Sequence, residues 1–125
     1  MPKASKESAS QSMAMEGYEG YFEDLGHGTT VGFERYTENA DAAPLFAGLP
    51  DDRCQCEHWG YVIDGQVVFH FADHDETFVA GDAYHVLPGH TPELFADTEV
   101  VEFSPTEELG RTVAVVMQNL QAATG

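Results

Sequence analysis

Tyr61-Val62-Ile63-Asp64-Gly65-Gln66-Val67-Val68-Phe69 is the stretch that decides the fold class. Two runs of β-branched and aromatic residues flank Asp64-Gly65, a pair that supplies the positive φ values a tight turn needs, so the segment predicts a β-hairpin. Working outward, Ala72–Glu76 is a polar turn that leads into a short strand at Thr77–Val79. Gly81-Asp82 then turns the chain into a strand at Tyr84–Leu87, Pro88-Gly89 turns it again, and Glu99–Phe103 is a further strand. Upstream, Thr29–Tyr36 is rich in β-branched and aromatic residues and reads as a strand, whereas Asn39–Asp52, with Pro44 and Pro50, reads as a connecting loop. Many short strands punctuated by turn residues predict an all-β sandwich or barrel.

The two ends read differently. Residues 1–16 are rich in Ser, Ala, Lys and Gln without apolar periodicity, which predicts a disordered tail. The folded domain is then 17–125, beginning where Tyr18, Tyr21 and Phe22 appear. At the other end Ser104 can cap a helix, Pro105 suits its first position and Glu107 completes a capping box. Leu109, Val113, Val116, Met117 and Leu120 fall on one face of that helix, which predicts packing on the outside of the barrel.

Charge excludes some partners. Five basic against 22 acidic residues give a net charge of −17. Lys3 and Lys6 lie in the tail, which leaves Arg35, Arg53 and Arg111 for the folded part. Such a surface repels phosphate backbones and anionic membranes, so neither a nucleic acid nor a membrane is expected as partner. No apolar run approaches the roughly 20 residues of a membrane span, and the N-terminus lacks the apolar stretch of a secretory signal. The expectation is a cytoplasmic protein.

Cys54, Cys56 and His58 are spaced by two. If Arg53–Ile63 is a strand, period-2 geometry puts all three on one face, and in a barrel that face can line the interior. Thiolate and imidazole together suit zinc or a softer first-row metal better than magnesium or calcium. A further ligand must come from elsewhere, and His90, directly after Pro88-Gly89, is the leading candidate. The expected set is Cys56, His58 and His90, with Cys54 as a fourth. The competing reading makes the cysteines small core residues. A Cys54–Cys56 disulfide is disfavoured, because same-face residues two apart in a strand lie about 6.5–7 Å apart at Cα. His85 reads as a hydrogen-bonded core or rim residue, and His27 and His74 as solvated. The chain holds no phosphate loop, nucleophile elbow or HExxH helix.

At Cys54–Gly65 and Gly81–Gly89 the sequence resembles the cupin superfamily. The first cupin motif, G-x5-HxH-x3/4-E-x6-G, closes on Gly65, which puts His58 in the glutamate position and Asp52 and Cys54 in the histidine positions. The second, G-x5-P-x-G-x2-H, finds its glycines at Gly81 and Gly89, with Leu87 in the proline position, Pro92 in the histidine position and His90 two residues earlier. The string Leu49–Ile63, with Pro88-Gly-His-Thr-Pro and Phe103-Ser-Pro, is similar to a group of small, uncharacterised bacterial cupins. The resemblance covers roughly Thr29–Phe103 and implies a cupin-type barrel, a double-stranded β-helix or jelly-roll. It keeps the glycine framework and departs from the three-His-one-Glu ligand set.

These readings converge on a small metal-binding cupin protein whose Cys/His cluster sits inside the barrel. The alternative is a metal-free module that binds a small molecule against Trp59, Tyr61 and Phe69. Neither reading assigns a catalytic residue. A homodimer is the expected assembly, since small barrels with exposed edge strands commonly pair.

Overall fold

The computed structural model describes residues 3–124. Its strands are β1 (Gln11–Met15), β2 (Tyr18–Gly26), β3 (Thr29–Tyr36), β4 (Ala40–Asp41), β5 (His58–Asp64), β6 (Gln66–His70), β7 (Asp75–Val79), β8 (Ala83–Val86), β9 (Thr91–Leu94) and β10 (Thr98–Pro105), followed by helix α1 (Thr106–Thr124). They form a six-stranded sheet, order β1-β2-β3-β10-β5-β8, and a four-stranded sheet, order β4-β9-β6-β7. All pairings are antiparallel. The sheets face each other across a core of Tyr18, Tyr36, Val62, Val67, Phe69, Tyr84, Val86 and Val100.

The Asp64-Gly65 turn forms but does not close a hairpin. β5 pairs with β8 and β10, whereas β6 pairs with β7 and β9, so the turn carries the chain from one sheet to the other. The reason lies at the start of β10. Gly65 has φ 78°, and a Cβ there would stand 2.8 Å from the Thr98 backbone. Thr98 Oγ1 accepts from Gln66 N at 3.2 Å and donates to Gln66 O at 3.1 Å. Tertiary contact with Thr98 fixes the corner.

The tail is shorter than the composition suggests. Gln11–Met15 is a strand paired with β2 across a turn at Gly17, and its Met13 and Met15 pack against the core. Two apolar side chains at period 2 suffice once a neighbouring strand is present, and the polar residues around them hide that signal. Residues 1 and 2 of the expected tail lie outside the described residues.

The helix also starts later. β10 stays paired with β3 as far as Pro105, opposite Thr29, so Ser104 is a buried strand residue and not a cap. The helix opens at Thr106, whose N–H donates to Gly28 O at 2.8 Å and whose Oγ1 shares a 2.7 Å hydrogen bond with Thr30 Oγ1. Acidic Glu107 and Glu108 in the first turn complement the helix dipole. Its apolar stripe lies across the end of the barrel: Leu109 and Val116 pack on the cluster of Ala42, Phe46, Cys54 and Cys56. Asn119 Nδ2 pins the helix by donating to Leu45 O at 2.7 Å and Ala47 O at 2.9 Å. No helix among the described residues is long and apolar enough to cross a membrane.

Candidate metal centre

Strand alternation positions most of the site. On the six-stranded sheet the inward face carries Thr30, Gly32, Glu34 and Tyr36 from β3, Val100, Glu102 and Ser104 from β10, and His58, Gly60 and Val62 from β5. Two of these glycines create room. A Cβ on Gly32 would meet the Phe22 ring at 2.6 Å, and one on Gly60 would meet the Tyr84 ring at 2.4 Å. What remains is a cavity of about 150 Å³, into which Tyr18, Glu34, Cys54, His58, His90 and Glu102 all face.

Cys54, His58 and His90 are buried and bring one donor atom each within 4.8 Å of the others. Cys54 and His90 are joined by backbone: Cys54 N–H donates to His90 O at 2.8 Å, and Gly89 N–H returns to Cys54 O at 2.8 Å. The Pro88-Gly89 turn, with Gly89 at φ 99°, thus delivers His90 to the cysteine. β5 begins only at His58. Cys54 Sγ lies 3.7 Å from His58 Nε2. A tetrahedral ion bonded to sulfur at about 2.3 Å and to nitrogen at about 2.0 Å sets them about 3.5 Å apart, so this edge already has the right length.

Outer contacts orient the donors. Leu87 O can only accept, so its 2.7 Å bond with His90 Nδ1 places the proton there and leaves the His90 Nε2 lone pair bare. His58 Nδ1 is 2.7 Å from Ser104 Oγ and 3.6 Å from Glu102 Oε1. A ligand bond through His58 Nε2 requires its proton on Nδ1, and Ser104 Oγ stands there to accept it. Cys56 N–H points at Cys54 Sγ, 3.4 Å away, which favours the thiolate.

Cys56 is the expected ligand that does not join. Residues 55–57 are not strand, so the parity argument fails there. Cys56 Sγ contacts Glu57 O at 3.5 Å and lies outside the converging group. Cys54, expected as a possible fourth ligand, is the cysteine that converges with the two histidines. The other histidines face away. His70 bonds Asp75 and Glu93, His74 bonds Asp73 and Glu76, and His85 bonds Glu57 and stacks on Trp59. Trp59 and Tyr61, expected to line the lumen, are exposed on the outer sheet face; Phe69 does face inward, against His90.

Burial disfavours the charged form of each of the three donors. Burial holds His58 down at about 4, and burial plus the neighbouring His58 ring holds His90 at about 4. Burial pushes the Cys54 thiol up to about 11, and burial with the adjacent Cys54 pushes Cys56 to about 12. Glu34 and Glu102 were missed by sequence reasoning. Burial raises both carboxyls well above the usual range, and Glu102 raises Glu34 further. Tyr18 O–H donates to Glu34 at 2.6 Å and Tyr84 O–H to Glu102 at 2.5 Å. The signal that could have found them is a mid-strand glycine on the same face, which marks close approach of another group.

No protein-family model matches the chain, and no curated protein matches it. Solved structures do. A protein of unknown function from Rhizobium leguminosarum matches with a TM-score of 0.56 at 14% identity, covering 83% of this chain and 94% of that one. An RmlC-like cupin from Shewanella frigidimarina matches at 0.53 and 14%, covering 82% and 88%. KdgF from Halomonas sp. matches at 0.50 and 17%, covering 76% and 86%. At these identities the likeness speaks to fold alone, and the fold is that of a small cupin.

Proposed function

We propose that this chain is a metal-binding cupin protein that holds a divalent transition metal, zinc by preference, through Cys54 Sγ, His58 Nε2 and His90 Nε2. The observation that carries this reading is the convergence of three buried donors within 4.8 Å, two of them imidazoles kept neutral by burial. A soft thiolate with two imidazoles is a donor set for zinc. Three protein ligands leave a position on the cavity side, where the ion would act as a Lewis acid toward a small molecule. Around it Ser104 and Leu87 O hold the imidazole protons, Glu34 and Glu102 supply carboxyl groups, and Phe46 with Leu109, Val113 and Val116 of α1 adds apolar lining.

The experiment is elemental analysis of untagged protein, with cobalt replacing the native ion for spectroscopy. Wild type should carry about one equivalent and show a thiolate-to-cobalt charge-transfer band. Cys54→Ser, His58→Ala and His90→Ala should each lose affinity, and Cys54→Ser the band; Cys56→Ser should keep both. Equal metal content in wild type, His58→Ala and His90→Ala refutes the site. A second reading, a metal-free module for a small organic ligand, is favoured by the aromatic lining of the cavity from Tyr18, Phe22, Tyr36 and Phe69. Absence of metal after reconstitution would select it.

A further inference from the structure

Two voids in the molecule share a neck. Met13, Phe22, Leu109 and Val113 line the cavity of about 150 Å³ that holds the metal donors, and the same four residues line a groove of about 720 Å³ beside it. The groove runs between β1 and the first half of α1. It stays open because the helix rests on β10 and on the short 3-10 helix Ala43–Phe46, and scarcely touches β1. Helical spacing presents Leu109, Val113 and Met117 to the gap, and Met13 with Phe22 stands opposite. The Phe22 ring lies over Gly32, where a Cβ would stand 2.6 Å from it, so a strand glycine makes room for the ring that walls the neck.

The two voids differ in chemistry. No side chain lining the groove is charged, in a chain of net charge −17. Its two threonine hydroxyls, Thr30 and Thr106, are bonded to each other at 2.7 Å and ask nothing of a ligand. Met117 is 38% exposed there and gains by being covered. The cavity, in contrast, gathers the metal donors with Glu34 and Glu102. Alone it is smaller than the roughly 300–1,000 Å³ of ordinary small-molecule sites, and joined to the groove it comes within that range. Neither void is lined by Lys or Arg, so nothing there pairs with a phosphate. We infer that the ligand of this protein is an amphipathic small molecule. Its oxygen-bearing head lies at Cys54, His58 and His90, and its uncharged apolar tail passes the neck into the groove between β1 and α1. The head's place rests on the metal reading; the tail's place rests on the groove alone.

The test uses the full chain in two states. Zinc-loaded protein is titrated calorimetrically with straight-chain hydroxamates of four to eight carbons, and metal-free protein with the matching alkan-1-ols. Burying a methylene fully is worth about fourfold in affinity. A groove open on one side should give about two- to fourfold per methylene, at least about sixteenfold across either series. Gly110 lines the groove, and a Cβ on it meets nothing within 4 Å. Gly110→Phe should therefore fill the groove and flatten both series, while bound zinc and the affinity for the shortest hydroxamate stay as in wild type. Met117→Glu, which puts a charge in the groove and none in the cavity, should do the same. The wild-type slope decides the matter if a variant fails to fold. Zinc bound with a flat wild-type series overturns the inference, as does a slope that both variants leave unchanged. A slope seen only on dilution to monomers also overturns it, by giving the groove to a second copy. A slope for the alcohols in a chain that takes up no zinc upholds the tail site and sinks the metal reading instead.

Discussion

Replacing glycine by alanine at two positions should have opposite effects, and the structure gives both signs. Gly60 lies mid-strand in β5, facing inward across from Tyr84. An added Cβ there would stand 2.4 Å from Tyr84 Cζ, 2.5 Å from its hydroxyl and 2.8 Å from Cε2, where ordinary contact needs about 3.5 Å or more. The ring must therefore move by about 1 Å, and it has little freedom to do so. It stacks on Phe78 at 4.8 Å and tilts against Phe69 at 5.7 Å, and its hydroxyl is bonded to Glu102. Overpacking of this kind costs about 1–3 kcal/mol, with the Glu102 bond at risk in addition. Gly110 is the control. It lies within α1, exposed, with nothing within 4 Å of the added methyl, and helical glycine is about 1 kcal/mol worse than alanine.

Gly60→Ala should thus be less stable than wild type and Gly110→Ala more stable, the two separated by about 2–4 kcal/mol. Urea titration with a common m value measures the gap. A Gly60→Ala protein as stable as wild type would show that the Tyr84 ring is not packed against β5, and with it the inward assignment of Glu102 would fall.

Other outcomes follow from single contacts. Asn119→Ala should lower stability by about 1–2 kcal/mol by leaving the Leu45 and Ala47 carbonyls without their donor, measured by the same titration. Glu34→Gln should stabilise the protein increasingly as pH rises above about 4.5. The buried carboxyl prefers to stay protonated when folded, so ionisation in the unfolded state draws the equilibrium away from the fold, and the amide removes that drain while still accepting from Tyr18. A pH-independent effect of Glu34→Gln would contradict its burial. Metal-stripped protein should lose stability as pH falls from about 6.5 to 4. His58 and His90 titrate near 6.5 unfolded and about 4 folded, so the unfolded chain takes up protons first, at a cost on the order of 3 kcal/mol for each ring. A flat thermal midpoint across that interval would mean the rings are open to solvent.

Much of the fold is legible because turn chemistry is local. Thr29–Tyr36 is a strand with the bounds its composition gives, and the Asp64-Gly65, Gly81-Asp82 and Pro88-Gly89 turns all form. The failures are tertiary. Whether Asp64-Gly65 closes a hairpin or rounds a corner depends on Thr98, thirty-odd residues away. Whether Ser104 caps a helix depends on β3 holding β10 to its end. His58 and His90, which converge with Cys54, each stand beside a readable signal, a cysteine at period 2 and a Pro-Gly turn. Strand parity puts Cys56 with Cys54 and His58 only if it runs through residues 55–57, where the chain is not a strand.

Glu34 and Glu102 were illegible for a deeper reason, which also bears on the outer face. Reading a strand by the rule that apolar residues point inward assigns Val101 and Phe103 to the core and Glu102 and Ser104 to water. In β10 the opposite holds: Glu102 and Ser104 face the lumen, and Val101 and Phe103 face out. The same inversion occurs in β3, with Glu34 in and Phe33 out, and in β5, with His58 and Gly60 in and Trp59 and Tyr61 out. A sheet whose inner face carries polar groups beside its core residues Tyr36, Val62 and Val100 draws less stability from that face. The apolar surface it displaces to the outside gains nothing while it faces water, at about 25 cal/mol per Å². The two features are then one: polar groups on the lumen side of three strands, and on the other side an apolar block left exposed at Trp59, Tyr61 and Phe103.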